Sequence, residues 1–185
     1  MALLPILAYP DARLRRQAQP VRQFDAALAR LIDDMFETMY AARGIGLAAT
    51  QVDVHLQVVT IDVSGKGEAP EVFINPQIVA RRRLGKVEES CLSVPGVSDF
   101  VKRHTVVRVH ALDRTGAPVD REVEGMLAVC LGHEIDHLRG RLFVDHLSLL
   151  KRLWVRLRAA RTGTDRRASA PAAASPDTTG IISRA

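Results

Sequence analysis

The stretch from Met126 to Leu138 constrains this chain more than any other part of it. Apolar residues recur there at helical spacing, no proline interrupts them, and Gly140 offers a stop just beyond, so the segment reads as a central helix. Inside it, His133-Glu134-Ile135-Asp136-His137 sets two imidazoles four residues apart, on one helix face, where both rings can meet a single metal ion. Glu134 sits beside the first imidazole but points away from the line joining the two. Its carboxylate is therefore placed to act as a general base on a water at that ion without filling a coordination position. The competing reading is a pair of structural histidines with satisfied hydrogen bonds.

A metal site needs a third protein ligand. The extended metzincin pattern would put another histidine where this chain has Phe143, and the thermolysin pattern would need a later glutamate, of which none follows His146. Cys130 shares the face of His133 but lies about 10 Å along the helix axis from His137, which suits a wall position better than a shared ligand. Cys91, in the separate segment Glu88-Glu89-Ser90-Cys91-Leu92-Ser93, is the remaining strong candidate, with an inert buried thiol as the alternative. Two cysteines could make only one bridge, and a reducing compartment keeps both as thiols.

A chain of 185 residues, 47% apolar and 25% charged, can bury a core, which excludes fibrous, collagen-like and wholly disordered classes. The apolar opening from Met1 to Leu7 is broken by Pro5 and falls far short of the roughly 20 residues a bilayer demands, and Arg13, Arg15 and Arg16 follow it rather than precede it. The expected location is cytoplasmic, with no membrane partner. The net charge of +5 is concentrated after Leu147, where eight Lys/Arg face only Asp165 and Asp177. The body is nearly neutral, so no DNA partner is expected.

The pattern elsewhere predicts an α+β fold, with antiparallel β-sheets packed around the central metal-binding helix and a further helix towards each end. Phe24, Leu28, Leu31, Ile32, Met35, Phe36 and Met39 share one side of a helix from about 24 to 43, with Gly44 as its stop. Short β-branched runs between 55 and 125, separated by turn residues, read as antiparallel strands. After Ser148, Leu149, Leu150, Leu153, Trp154 and Leu157 form an apolar stripe beside Lys151, Arg152, Arg156 and Arg158. This basic amphipathic helix is expected to dock its stripe on the core, the alternative being a partner surface. Residues 1–161 then form one catalytic domain, and 162–185, lacking large apolar residues, a flexible low-complexity tail.

A third segment, Gly44-Ile45-Gly46-Leu47-Ala48-Ala49-Thr50-Gln51, allows another backbone to approach and brings an amide that can donate to an oxygen. It lacks the Lys-Ser/Thr ending of a phosphate loop. Taken together and in this order, GIGLAATQ, ESCLS and HEIDH resemble the three motifs of the peptide deformylases. The likeness covers most of residues 1 to about 160, including Tyr9-Pro10-Asp11 with Leu14-Arg15.

The resemblance implies that Cys91, His133 and His137 hold one divalent ion, that Glu134 is the acid-base residue, and that the substrate is the N-formylmethionyl end of a nascent peptide. One thiolate and two imidazoles suit zinc, whereas the family typically uses ferrous iron, with zinc, nickel or cobalt able to substitute. Negative charge on the formyl oxygen is then expected to meet the Gln51 amide and the Leu92 backbone N–H. An extended peptide is expected to pair beside Gly44, Ile45 and Gly46, and Met126, Cys130 and Ile45 to wall the methionine pocket. Three positions depart from the family pattern: Ser90 stands for glycine, Gly132 for glutamine, and Ser98 near a usual arginine. They motivate one alternative, an amidohydrolase with a different N-acyl substrate. The basic helix motivates another, a nonhydrolytic ribosome-associated metal module, and equally a ribosome contact that brings a deformylase to its substrate.

Overall fold

In the computed structural model, which describes residues 2–168 with side chains through Ala159, Asp25 starts the first helix, α1 (Ala26–Ala41). Its carboxylate accepts from the N–H groups of Ala27 at 3.0 Å and Leu28 at 2.9 Å, donors that the helix cannot satisfy itself. Phe24 therefore falls before the cap instead of on the apolar stripe, and is 38% exposed. The far end also differs from expectation. Ala42 is the cap, Arg43 takes the left-handed conformation at φ 56°, and the N–H of Gly44 bonds to the carbonyl of Met39. A Cβ at Gly44 would lie 2.7 Å from Cδ1 of Leu92, so a side chain there would make that leucine shift.

The strands form a single antiparallel sheet in sequence order: β1 (Gly46–Ala48), β2 (Val58–Ile61), β3 (Glu71–Cys91), β4 (Val94–Leu112) and β5 (Pro118–Glu124). Every residue of β1 and β2 is buried. Their alternate side chains face opposite ways: Val58 joins Leu28, Ile32, Met35 and Met39 on the α1 side, while Val59 and Ile61 join Leu131 and Ile135 of the central helix, α2 (Gly125–Leu138). Covering both faces explains why β2, Val58-Val59-Thr60-Ile61, reads as a β-branched run with no alternation of buried and exposed residues. Each fully buried large side chain here is worth about 1.5–3 kcal/mol.

Strands β3 and β4 make a long ribbon, and the segment carrying Cys91 is the end of β3. Gly140 has φ 70° and could not bear a Cβ, which would lie 2.2 Å from the carbonyl oxygen of Arg15. The last helix, α3 (Leu149–Ala168), continues past 161; residues 169–185, where most of the expected tail falls, lie outside the described residues. Its apolar stripe does not dock. Leu149, Leu150, Leu153, Trp154 and Leu157 are each more than half exposed, and the residue that enters the core is Val155, 1% exposed among Val94, Val97 and Leu147. The helix touches the body along this narrower line, pinned by Lys151 to Asp99 and Arg152 to Asp145.

Candidate metal centre and active site

The four-residue spacing in α2 and the end of β3 converge on one point. One ligand atom each from Cys91, His133 and His137 lies within 4.8 Å of the others, and all three residues are buried. The two Nε2 atoms are 3.3 Å apart and Sγ of Cys91 is 3.2 Å from Nε2 of His137. Two nitrogens bound tetrahedrally at about 2.0–2.1 Å would stand roughly 3.3 Å apart, so the donor set fits a four-coordinate ion with one position left open. Burial, then the charge of the neighbouring His133, holds His137 well below the usual imidazole range, while against burial the bonds to Cys91 and Glu89 hold His133 well above it; binding an ion requires both rings neutral. Phe143, where a metzincin would place its third ligand, instead stacks on the His133 ring.

Glu134 is 3% exposed and its Oε2 has no hydrogen-bond partner. Burial pushes its carboxyl up to about 7, against the pull of the His133 charge. Gln51 is carried on a short 3-10 helix, Ala49–Val52. Its Oε1 accepts from the Ala48 N–H at 2.9 Å, and its Nε2 donates to Ser93 Oγ at 3.1 Å and, at 3.8 Å, to Cys91 Sγ. Donation to a substrate oxygen would exchange that long sulfur contact.

Cys91, His133, Glu134 and Gln51 line one cleft of about 540 Å³, which also brings together Gly44, Ile45, Gly46, Leu92, Met126 and Cys130. Met126 is half exposed at the cleft, not core. Cys130 is both core and wall; burial first, then Glu134, drives its thiol well up, and it contacts the Ile45 carbonyl. Ser90 is exposed and also lines the cleft, while Ser98 donates to Glu88.

Sequence reasoning missed the support behind His133. Glu89 Oε2 bonds Nδ1 of that ring at 2.8 Å, Arg103 binds Glu89 at 2.6 Å and Asp136 at 2.5 Å, and Asp136 also holds His146 at 2.9 Å. Fixing Nδ1–H aims Nε2 at the side of Cys91 and His137, where an ion would be held. Period-two alternation in a strand ending at Cys91 puts Glu89 on the same face as Cys91, a signal that was there to read. Arg103 carries no such mark.

The fold and donor set define a metal-dependent hydrolase with one Cys-His-His centre. The profile of the polypeptide deformylase family matches residues 3–153. Among relatives, a peptide deformylase of Cellvibrio japonicus is 57% identical over 84% of this chain and 93% of its own length, and one of Teredinibacter turnerae is 55% identical over 90% and 99%. The crystal structure of a peptide deformylase from Legionella pneumophila superposes with TM-score 0.86 at 49% identity, covering 92% of this chain and all of that one. That of Ehrlichia chaffeensis in complex with actinonin gives 0.82 at 38%, covering 88% and 98%. The chain belongs to the peptide deformylase family. Its reaction is removal of the formyl group from nascent peptides, and neither the other-acyl reading nor the nonhydrolytic module has support. Among the described residues no helix is long and apolar enough to cross a membrane.

Proposed function

We propose that Cys91, His133 and His137 hold the ion, that Glu134 moves the proton, and that Gln51 and the Leu92 N–H receive the negative charge. The observation that carries this reading is the convergence of three donor atoms within 4.8 Å beside a buried carboxylate oxygen with no partner. Bound there, a divalent ion supplies Lewis acidity towards a water and a carbonyl oxygen. Glu134 takes a proton from the attacking water as its oxygen bonds to the formyl carbon. Gln51 Nε2 and the Leu92 N–H donate to the oxygen that becomes anionic. As the carbon–nitrogen bond breaks, Glu134 returns the proton to the departing amine, leaving formate and a free N terminus.

The substrate backbone pairs along Gly44, Ile45 and Gly46, and the methionine side chain lies against Met126, Cys130 and Ile45. Ferrous iron is the ion in the cell, with zinc, nickel or cobalt as substitutes, and residues 1–161 are the catalytic unit. The enzyme acts in the cytoplasm, where nascent chains emerge. The exposed apolar stripe of α3 with Lys151, Arg152 and Arg156 beside it supports a ribosome contact; pelleting with ribosomes should weaken between low and high salt, and salt-insensitive or absent binding would dispose of it.

The central test is Glu134→Ala in protein prepared anaerobically. Metal content by elemental analysis should match the unsubstituted chain, while formate release from a formylmethionyl peptide falls by about two to four orders of magnitude. Near-normal turnover would remove Glu134 from this role.

A further inference from the structure

The Gln51 amide is held at both ends by the protein itself. Its Oε1 accepts from the Ala48 N–H at 2.9 Å, and since a main-chain N–H can only donate, that bond fixes which end of the amide is oxygen. One hydrogen of Nε2 then goes to Ser93, whose Oγ lies 3.1 Å away and must be the acceptor, because an amide nitrogen has only hydrogens to offer. An amide group is planar, so two anchors set the direction of what remains. That is the second hydrogen of Nε2, on the side of Cys91 Sγ at 3.8 Å.

Both partners are themselves fixed. Gln51 is 2% exposed and Ser93 0%. Main-chain N–H groups two residues apart on the N-terminal segment hold their backbones, Leu7 bonding to the Gln51 carbonyl and Tyr9 to the Ser93 carbonyl, each at 2.7 Å. That segment ties the short 3-10 helix that carries Gln51 to the turn between β3 and β4 that carries Ser93. At such burial no solvent stands in for the Ser93 hydroxyl, so an amide deprived of it would leave a donor unpaired or turn until that donor met another acceptor.

We propose that Ser93 is a positioning residue of the deformylase: its hydroxyl takes one hydrogen of the Gln51 amide and so aims the other at the oxygen that becomes anionic. Ser93 touches no reacting atom and acts through Gln51 alone. A donor aimed in advance stabilises the charge as it develops without reorganising during the reaction, so the effect falls on kcat and leaves KM nearly unchanged. This inference rests on Gln51 receiving that charge, as proposed above.

The test is a double-mutant cycle on the metal-loaded enzyme, read as formate release from a formylmethionyl peptide, with metal content and thermal midpoint measured on every variant. Ser93→Ala removes one oxygen and adds no atom, so fold and metal content should match the unsubstituted chain. Its kcat should fall about tenfold with KM within about twofold, a smaller loss than the roughly hundredfold expected when Gln51→Ala removes the donor outright. In the Gln51→Ala background, Ser93→Ala should cost no more than about twofold, because no amide is left to aim. A further tenfold loss in the double variant, on the order of that in S93A alone, overturns the proposal, since Ser93 would then act independently of Gln51. So does an unchanged kcat in S93A, and so does loss of its metal or its fold, which would mark a structural role. Near-normal turnover by Q51A would instead remove Gln51 from the reaction, and this proposal with it.

Discussion

Gly46 gives the Glu134 carboxylate its room: a Cβ built on that glycine would lie 2.6 Å from Oε1 of Glu134, and 2.5 Å from Sγ of Cys130. Neither contact can be kept, and both partners are buried side chains of α2 whose backbone is fixed by the core. Gly46→Ala should therefore displace the Glu134 carboxylate while Cys91, His133 and His137, the proposed ligands, stay in place. The expected outcome is metal content unchanged and kcat reduced about a hundredfold, the scale of an ångström-sized misplacement of a reacting group. Kinetics beside elemental analysis checks it; full activity in G46A would show that the carboxylate can relocate freely.

The helix with the histidines was legible because its periodicity and the four-residue spacing are both local, and the antiparallel strands followed from β-branched runs and turn residues, although their union in one sheet rather than several did not. The extent of β3 and β4 was not, since Arg81, Arg82, Arg83, Leu84 and Lys86 lie in an outer part of the ribbon exposed to solvent, which leaves no alternation to read. The stripe on α3 was visible, but periodicity tells only that a face is apolar, not what covers it. The ligand support escaped for a related reason. Arg103 meets Glu89 and Asp136 only through strand register and helix placement, and pairings so far apart along the chain have no spacing signature.

The trio of Glu89, Arg103 and Asp136 should matter to metal binding. Glu89→Ala removes the acceptor on Nδ1 of His133 and leaves Arg103 with Asp136 alone. The ring then loses its fixed tautomer and orientation, and metal affinity should fall about 10-fold to 100-fold. Competition against a chelator, with circular dichroism to confirm the fold, measures it; equal retention by E89A and the unsubstituted chain would show that the ring needs no such anchor.

Gly132 makes the opposite case. It lies inside α2 without a positive φ, and a Cβ there meets nothing within 4 Å. Gly132→Ala should gain about 0.5–1 kcal/mol from helix propensity, raising the thermal midpoint by about 1–4 °C with deformylation unchanged. A lowered midpoint would mean that the glycine serves some packing need in this helix.

Asp62 predicts a pH dependence away from the metal. The residue is 0% exposed, and its carboxylate accepts from the Ser64 N–H at 2.9 Å, the Ser64 hydroxyl at 2.6 Å, the Tyr40 hydroxyl at 2.9 Å and the Gly67 N–H at 2.8 Å. Burial opposes its ionisation, but the bonds from Ser64, Tyr40 and Gly67 outweigh it and hold the carboxyl below the ordinary Asp range. A carboxyl depressed on folding stabilises the protein above its unfolded value of about 3.9 and loses that contribution as pH falls through the folded value. Asp62→Asn keeps the shape but loses acceptor capacity and charge, so it should cost about 1–3 kcal/mol at neutral pH. The gap between D62N and the unsubstituted chain should hold from pH 7 down to about 4 and narrow below it, as denaturant unfolding across that range will measure. A gap constant to pH 3 would place the stabilisation in the hydrogen-bond geometry of this loop and not in its charge.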